Sequence, residues 1–329
     1  MSASALASHF NSWLHHPGIP ALPSQLAVGW SGGADSTALL LALKFAGYDV
    51  VAWHVDHGWR ASSSDEAKVL AERAAEWDIP FVTASVKAAV ENNREAEARR
   101  GRFTQFLQWS QESGVTTLCL AHHADDQAET VCMRLLQGAG AGGCRGMQRE
   151  RFFKGLRIVR PLLHVAGPEL RRALQAGGFA WFEDPSNRDM SIWRNSIRFQ
   201  LFPRLQQAGV EPVELFLRWQ RQAERLTRQL DADADLLLNR DGSSELSSEG
   251  AALLWRPWAA SSPAVRARVL QRMMVATMGA GKTPGRRHIE LVEQWTSRSG
   301  RGGLDLSGCR LQRKRAYLHL LPTCSECAR

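Results

Sequence analysis

Long apolar runs are missing from this 329-residue sequence, and cysteine is scarce. No stretch of about eighteen apolar residues occurs, so the sequence predicts no membrane-spanning helix. The first residues have neither a basic region nor a long apolar core, so we do not expect a secretory signal peptide. Six cysteines spread thinly over the chain suit a reducing compartment better than a disulfide framework, and we therefore expect a cytoplasmic protein.

Lysine is also scarce, whereas arginine is abundant. Only six of the 41 basic residues are lysine, and the 33 acidic residues leave a net charge of +8. Residues 1–210 hold 22 basic and 20 acidic side chains, and residues 211–329 hold 19 and 13. Excess arginine indicates a polyanionic partner, because the guanidinium group suits bidentate phosphate and base contacts. A proteome of high GC content would give the same bias, so composition leaves RNA binding open.

Strand and helix patterns alternate through the first half of the chain. Apolar runs predict strands at 26–30, 50–55, 81–86, 117–121 and 156–159. Helical periodicity predicts helices at 36–46, 64–77, 94–113, 125–137 and 167–176. The βαβα order predicts an α/β fold with a Rossmann-like parallel sheet and helices on both faces.

The second half predicts a different architecture. A long amphipathic helix is expected at 212–239, a polar stretch at 240–248, and helices near 264–277 and 288–297, followed by two or three short strands. We therefore divide the chain into a larger domain (1–210), a long linker helix (211–240) and a small α+β C-terminal domain (241–329).

The most informative motif follows the first predicted strand. Its residues are Ser31, Gly32, Gly33, Ala34, Asp35 and Ser36. Glycines let the backbone approach a phosphate, and the free N–H groups of the helix that follows favour negative charge. Asp35 would repel a bare phosphate, so its presence suggests a Mg²⁺ ion between protein and polyphosphate. The motif matches neither the Walker loop nor G-x-G-x-x-G, and a ligand-free turn is the alternative.

Polar motifs also follow the second and fourth predicted strands, where parallel sheets bind ligands. A turn from His54 to Gly58 follows the second strand, and Asp125 and Asp126 open the helix after the fourth. Helix capping explains one acidic residue, and two suggest metal or amine binding. The histidines of these turns do not favour a transition-metal site, because no cysteine pair accompanies them.

Arginines recur at helical spacing in two places. Arg99 and Arg102 share one face of the 94–113 helix, and Arg194 and Arg198 are four residues apart. Arginine stabilises charge on a transferring group, and a solvated basic face is the alternative for each residue.

Five segments, in this order, resemble those of the tRNA(Ile)-lysidine synthases, which are PP-loop enzymes of the ATP pyrophosphatase family. They are 31–36, 54–58, 97–103, 123–130, and 183–187 with 194–198. Phe103 departs from the pattern, since this family usually has tyrosine there. The resemblance covers roughly residues 25–205 and implies an adenine-nucleotide alpha-hydrolase-like fold, with ATP binding and catalysis in residues 1–210 and tRNA binding in 241–329.

The resemblance also implies a reaction. ATP would adenylate the C2 oxygen of the wobble cytidine in the CAU anticodon of an isoleucine tRNA, and the ε-amino group of free L-lysine would then displace AMP. The resemblance implies catalytic roles for Asp35, Asp126 and Arg194. The 31–36 loop and His54 would bind ATP, and Asp35 would bind Mg²⁺. The residues implied for lysine and tRNA are Arg99, Arg102, Asp125, Glu129 and Arg198. Asp184 is a further candidate for the lysine ammonium group, and the choice between monomer and homodimer is open.

Two alternative functions remain open at this point. A tRNA thiolase of the same superfamily would need a reactive cysteine near the loop. Cys144 is the candidate, because its glycine-rich segment is expected to be flexible and exposed, whereas Cys324 and Cys327 lie at the end of the chain. A non-catalytic RNA-binding protein with an ATP fold is the other alternative, and the retained acidic residues argue against it.

Overall fold

The structure, a computed structural model, describes residues 3–56, 63–86, 94–183, 189–239, 244–279 and 283–323. The chain separates into two compact units, Met1–Arg221 and Gln222–Arg329. No helix in the described ranges is long and apolar enough to cross a membrane. The division at residues 210 and 240, with its assigned roles, stays a prediction.

The first unit is built on a six-stranded sheet with the order β3-β2-β1-β4-β6-β5. Its elements are α1 (Ala3–Leu14), β1 (Gln25–Gly29), α2 (Ala34–Phe45), β2 (Asp49–Asp56), α3 (Ser63–Glu76), β3 (Phe81–Ser85), α4 (Arg94–Ser113), β4 (Thr117–Cys119), α5 (Ala124–Leu136), α6 (Ala141–Cys144), β5 (Glu150–Phe153), β6 (Leu156–Val159), α7 (Gly167–Gly177), α8 (Trp193–Ser196), a π-helical turn (Ile197–Leu201), α9 (Phe202–Gln207) and the start of α10 (Pro212–Leu238). All neighbouring strands are parallel except β5, which runs antiparallel to β6. The predicted α/β fold is confirmed.

Two separate cores lie on the two faces of this sheet. Leu26 and Val28 of β1 pack in one core with α1, α2, α3 and α7. Ala27, between them, belongs to a second core with Phe106 and Trp109 of α4. Successive side chains of a strand point to opposite faces. The predicted placement of helices on both faces is therefore confirmed.

The strand order reverses between β1 and β4. From β1 the chain steps outward to β2 and β3, and α4 then returns it to the other side of β1, where Val28 pairs with Cys119. In open parallel sheets the crevice beyond the carboxyl ends of the strands at such a reversal is the usual ligand site. The loops that precede α2 and α5 both open into this crevice.

Two strands of this sheet differ from the sequence prediction by more than one residue at an end. β5 is absent from that prediction, because it is a four-residue edge strand in which glutamate and arginine precede two phenylalanines, one of them exposed. β4 ends at Cys119, two residues before the predicted end.

The second unit contains an antiparallel sheet with the order β7-β8-β11-β10-β9. Its elements after α10 are β7 (Ser244–Leu246), β8 (Ala251–Leu254), α11 (Trp255–Ala260), α12 (Pro263–Met278), α13 (Arg286–Ser297), β9 (Gly303–Leu306), β10 (Cys309–Lys314) and β11 (Tyr317–Pro322). Its core joins Trp258, Met273 and Leu318 with Ala234 and Leu238 from the end of α10. Within the polar stretch at 240–248, residues 244–246 form a short edge strand that pairs with β8.

Candidate functional site

The 31–36 loop turns sharply between β1 and α2. Gly32 has φ +81°, and a Cβ at this position would lie 2.9 Å from both Leu70 and Phe182. The Phe182 N–H donates to the Gly32 carbonyl at 2.9 Å. Gly33 is the N-cap residue of α2 and has no side chain with which to cap the helix. The first N–H groups of α2 are thus available to an anion.

The two serines brace this loop from inside. The Ser31 N–H donates to Ser36 Oγ at 3.2 Å, and the two hydroxyl oxygens lie 3.1 Å apart. The Ser36 hydroxyl also donates to the Gly33 carbonyl at 3.1 Å. These hydrogen bonds fix the turn of the loop.

His54 is buried, and its ring serves the end of β1. His54 Nδ1 lies 2.9 Å from the Trp30 carbonyl oxygen, and the Trp30 indole N–H donates to Thr37 Oγ1 at 3.0 Å. These contacts fix the strand end from which the loop departs. A role for His54 in ATP binding stays a prediction, and the rest of its turn, 57–58, lies outside the described residues.

Three carboxylates surround the imidazole ring of His123. His123 Nε2 lies 3.6 Å from Asp35 Oδ2 and 3.5 Å from Asp126 Oδ2, and His123 Nδ1 lies 3.4 Å from Asp125 Oδ2. We call these four residues the Asp/His cluster. Its members come from the loop after β1 and the start of α5, so the sheet reversal brings together residues that are distant in sequence.

The three neighbouring carboxylates determine the charge of His123. Burial lowers the pKa of His123, but its contacts with Asp125 and Asp35 and the charge of Asp126 outweigh burial and raise the pKa to about 10. Burial alone would raise the pKa of Asp125. Its contact with His123 and the hydrogen bond from the Gly167 N–H outweigh burial, so the pKa of Asp125 is lowered. His123 is therefore an imidazolium at neutral pH.

Backbone groups hold the acidic residues of the Asp/His cluster in place. Asp126 Oδ2 accepts the His123 N–H at 3.1 Å, and Asp125 Oδ2 accepts the Gly167 N–H at 2.8 Å. A Cβ on Gly167 would lie 2.9 Å from His123 Cε1, so the absence of a side chain lets α7 approach the ring. Asp126 thus combines helix capping with a place in the site.

Glu129 joins the two arginines of the 194–198 segment. The carboxylate is 1% exposed and accepts from Arg198 Nε at 2.6 Å and Nη2 at 3.0 Å, and Arg194 Nε lies 3.5 Å away. Arg194 also donates to Thr130 Oγ1 at 2.8 Å. Arg198 Nη2 lies 3.4 Å from Asp126 Oδ1, which connects this group to the Asp/His cluster. Glu129 thus forms ion pairs with both arginines.

The two predicted site arginines of α4 differ in exposure. Arg99 is exposed on α4, with its guanidinium carbon 5.3 Å from the centroid of the Phe103 ring. Arg102 is half-buried on the same helix. Asp184 lies outside the described residues, as do Cys324 and Cys327.

The expectation for Cys144 is wrong. The residue ends the short helix α6, is buried, and its thiol donates to the Ala139 carbonyl oxygen at 3.3 Å. Burial raises the pKa of this thiol, which disfavours the reactive thiolate. The loop after α6 is held by Gln127, whose side chain forms hydrogen bonds with the Met147 backbone at 2.7 and 2.9 Å.

Asp35 has the chemistry of a magnesium ligand. Its Oδ1 atom is buried and has no hydrogen-bond partner. In nucleotide sites Mg²⁺ is held by one or two carboxylates and by the phosphates themselves. Within the described ranges, no group of three or more His, Cys, Asp or Glu side chains is placed to hold a metal ion.

Two residues of the site escape sequence reasoning. The sequence assigns His123 no role beyond its place at the start of the 123–130 segment, and Gly167 receives no role. The position of His123 just before Asp125 and Asp126 is the one available signal. Its contact with Asp35 depends on the order of the strands.

Comparisons with known proteins identify the family of the chain. A family model described as a PP-loop domain matches residues 5–205. The tRNA(Ile)-lysidine synthase of Ruegeria pomeroyi is 36% identical over 303 residues, which cover 87% of this chain and 68% of the relative. That of Thermus thermophilus is 36% identical, covering 92% of this chain and 57% of the relative. That of Chlamydia pneumoniae is 38% identical over 179 residues, and the match spans 56% of that relative's length.

One solved structure supports the fold independently. A U34-tRNA thiolase from Methanococcus maripaludis, with a 4Fe–4S cluster, superposes with a TM-score of 0.53 over 67% of this chain and 78% of that chain. The sequence identity is 15%, so the likeness concerns the fold alone.

Proposed function

The chain belongs to the tRNA(Ile)-lysidine synthases of the PP-loop family, and on this premise we propose that it uses ATP to join lysine to a tRNA base. The proposed acceptor is C2 of the wobble cytidine in the CAU anticodon of an isoleucine tRNA. The Asp/His cluster beside the 31–36 loop is the observation that carries the proposal.

The proposed reaction has two steps. In the first, the cytidine O2 attacks the α-phosphorus of ATP, the bond to the β-phosphate breaks, and pyrophosphate leaves. In the second, the lysine ε-amine attacks C2 and loses a proton, and the C2–O bond breaks to release AMP. The product is lysidine.

The 31–36 loop suits the first step. The free N–H groups of α2 and the serine-braced turn fit the pyrophosphate portion of ATP. Asp35, with a buried and unpartnered carboxylate oxygen, would hold Mg²⁺ there. When bound, the ion would neutralise charge on the phosphates.

The arginines near Glu129 suit the charge that develops during transfer. Arg194 and Arg198 are oriented by one buried carboxylate, so they are fixed before the substrate binds. Fixed donors stabilise a developing negative charge without reorganisation. We assign Arg194 to the α-phosphate of the adenylyl group that is transferred, and Arg198 to orienting Asp126.

Lysine is a cation, and the Asp/His cluster carries an excess of negative charge. Asp125 is 27% exposed and Asp126 15%, whereas Glu129 is 1% exposed and accepts two hydrogen bonds from Arg198. We therefore assign the lysine ammonium group to Asp125 and Asp126, and Glu129 to positioning the arginines. Arg99 and Arg102 are assigned to the tRNA. The cytoplasmic location and the choice between monomer and homodimer stay predictions.

Labelled lysine tests the proposal directly. Purified protein with ATP, Mg²⁺, isoleucine tRNA of CAU anticodon and labelled lysine should release AMP and pyrophosphate and label the tRNA. Methionine tRNA, which has the same anticodon, is the matched control and should stay unlabelled. Absence of label from the isoleucine tRNA would contradict the proposal.

The thiolase alternative has only the shared fold in its favour. Among the described cysteines, Cys144 is the candidate that the sequence offers, and its thiol is buried and hydrogen-bonded. Cys144→Ser should keep full lysine incorporation, because a serine hydroxyl can donate to the same carbonyl oxygen. Loss of activity in a folded Cys144→Ser variant would revive the thiolase.

A further inference from the structure

A second group of basic side chains lies beside the Asp/His cluster. It consists of Arg99 on α4, Arg151 on β5 and Arg160 just after β6, and we call it the arginine cluster. Arg151 and Arg160 have no role in the function proposed above.

Strand geometry places Arg151 on the α4 face of the sheet. Arg151 is two residues before Phe153, whose ring packs on Phe103 with centroids 5.6 Å apart, and it pairs in register with Ile158 of the same core. Its guanidinium carbon lies 5.1 Å from the centroid of the Phe103 ring, over which Arg99 also lies. Two cations thus share one aromatic ring.

Arg160 connects these cations to the adenylation site. Its side chain is 4% exposed, Nη1 donates to the Gln148 carbonyl at 2.8 Å, and Nε donates to His122 Nδ1 at 3.2 Å. His122 immediately precedes His123 of the Asp/His cluster. The arginine cluster therefore borders the crevice at the carboxyl ends of β4 and β6.

The arginine cluster has no compensating anion of its own. No carboxylate in the described parts of the chain forms an ion pair with its three members, since the nearby Glu97 pairs with Arg100 and Glu150 with Arg157. Arg151 Nε is buried without a hydrogen-bond partner. Burial first, and the charges of Arg151 and Arg99 second, lower the pKa of Arg160 to about 10. Like charges at such spacing repel one another unless an anion joins them.

We propose that Arg99, Arg151 and Arg160 form a phosphate-binding site at the edge of the adenylation crevice. The ligand chemistry is a phosphate group, supplied either by ATP and its pyrophosphate product or by the RNA backbone. Guanidinium groups bind phosphate through charge-assisted hydrogen bonds, and Arg151 Nε is free to donate one. The site rests on the proposed function, because an ATP-dependent enzyme acting on tRNA brings both kinds of phosphate to this crevice.

Two matched pairs of variants test the site. Arg151→Met is compared with Arg157→Met, its neighbour on β6, which pairs with Glu150. Arg99→Met is compared with Arg100→Met, its neighbour on α4, which pairs with Glu97. Each pair removes the same charge from the same element or sheet edge. Thermal unfolding of each variant reports on folding.

Binding is measured without turnover in two arms. In the first, calorimetry gives the Kd for ATP and for inorganic pyrophosphate. In the second, the Kd of an isoleucine tRNA transcript is measured across a salt series. If ATP supplies the phosphate, Arg151→Met should weaken ATP and pyrophosphate binding about ten-fold and leave tRNA binding unchanged. Arg99→Met should then weaken ATP binding to the same extent and also weaken tRNA binding, because Arg99 is assigned to the tRNA. If RNA supplies it, the salt slope should fall by about 1 and tRNA binding should weaken, with ATP binding unchanged.

Either of these two binding results supports the site. Normal binding by the control variants Arg157→Met and Arg100→Met would exclude a general effect of losing one positive charge. Unchanged binding in both arms, or equal losses in Arg157→Met and Arg100→Met, would overturn the site. If Arg151→Met fails to fold, the exposed Arg99 supplies the same readout. Wild-type protein that binds as expected but incorporates no lysine would refute the proposed function and leave the phosphate site standing.

Discussion

His123 Nε2 lies 3.6 Å from Asp35 Oδ2, so the residue before α5 contacts the loop before α2. This contact spans the strand reversal between β1 and β4. It places beside the Asp35 carboxylate an imidazolium that Asp125 and Asp126 also hold.

The stability of the protein should decrease in alkaline solution through His123. The pKa of His123 is about 10 in the folded chain against an ordinary value of 6.5. A raised pKa stabilises the folded state fully below about pH 6.5, and this contribution is lost as the pH rises through about 10. Urea unfolding at pH 6.5, 8 and 10 should therefore show a smaller decrease in the free energy of unfolding for His123→Gln than for the wild type. Parallel decreases would show that His123 does not carry the effect.

Asp35→Asn should abolish adenylation and preserve the fold. The amide keeps the shape of the side chain but removes the charge that would hold Mg²⁺ beside the phosphates. We expect pyrophosphate release to fall about a hundred-fold or more, with little change in the thermal midpoint. Asp49→Asn, at the exposed start of β2, is the control and should keep its rate. Normal turnover of Asp35→Asn would remove Asp35 from the metal site.

Gly167→Ala should disturb the Asp/His cluster from outside it. The new methyl group would lie 2.9 Å from His123 Cε1, so either the ring or the start of α7 must move. We expect a loss of about 1–3 kcal/mol in stability and a lower rate of lysine incorporation. Gly142→Ala, where a Cβ meets nothing within 4 Å, is the matched control. Identical behaviour of the two variants would mean that the close approach has no consequence.

The basic turn of the C-terminal unit should contribute to tRNA binding. Lys314 and Arg315 are exposed where β10 turns into β11. The double change Lys314→Gln with Arg315→Gln should weaken tRNA binding and lower the salt slope by about 0.9 for each phosphate that these side chains neutralise in the wild type. Arg286→Gln, which breaks a surface pair with Glu290, controls for net charge. An unchanged salt slope would assign this turn a structural role only.

Much of the fold could be read from local patterns. The helix predicted at 94–113 and the strand predicted at 156–159 match α4 and β6 at both ends. Apolar runs and helical periodicity determine such elements, because both act between residues close in sequence. β5 and β7 escaped prediction because short edge strands are stabilised by a neighbouring strand, and polar side chains on their open face hide the alternation.

The candidate site also combines features that local sequence predicts with features that depend on tertiary packing. The order of glycines, serines and Asp35 between a buried strand and a helix already indicated a phosphate loop, because the turn and the helix N-terminus are local features. Sequence could not show that Cys144 is buried, since its exposure depends on packing by distant side chains.

The sequence by itself therefore determined the chemical groups of this protein and the elements that carry them. Only the tertiary structure decided which charges meet. His123 compensates Asp35, and Arg160 contacts His122, because β4 lies between β1 and β6. Electrostatic partners depend on distance in space, and the strand order that sets this distance is fixed by the whole sheet rather than by any segment of the chain.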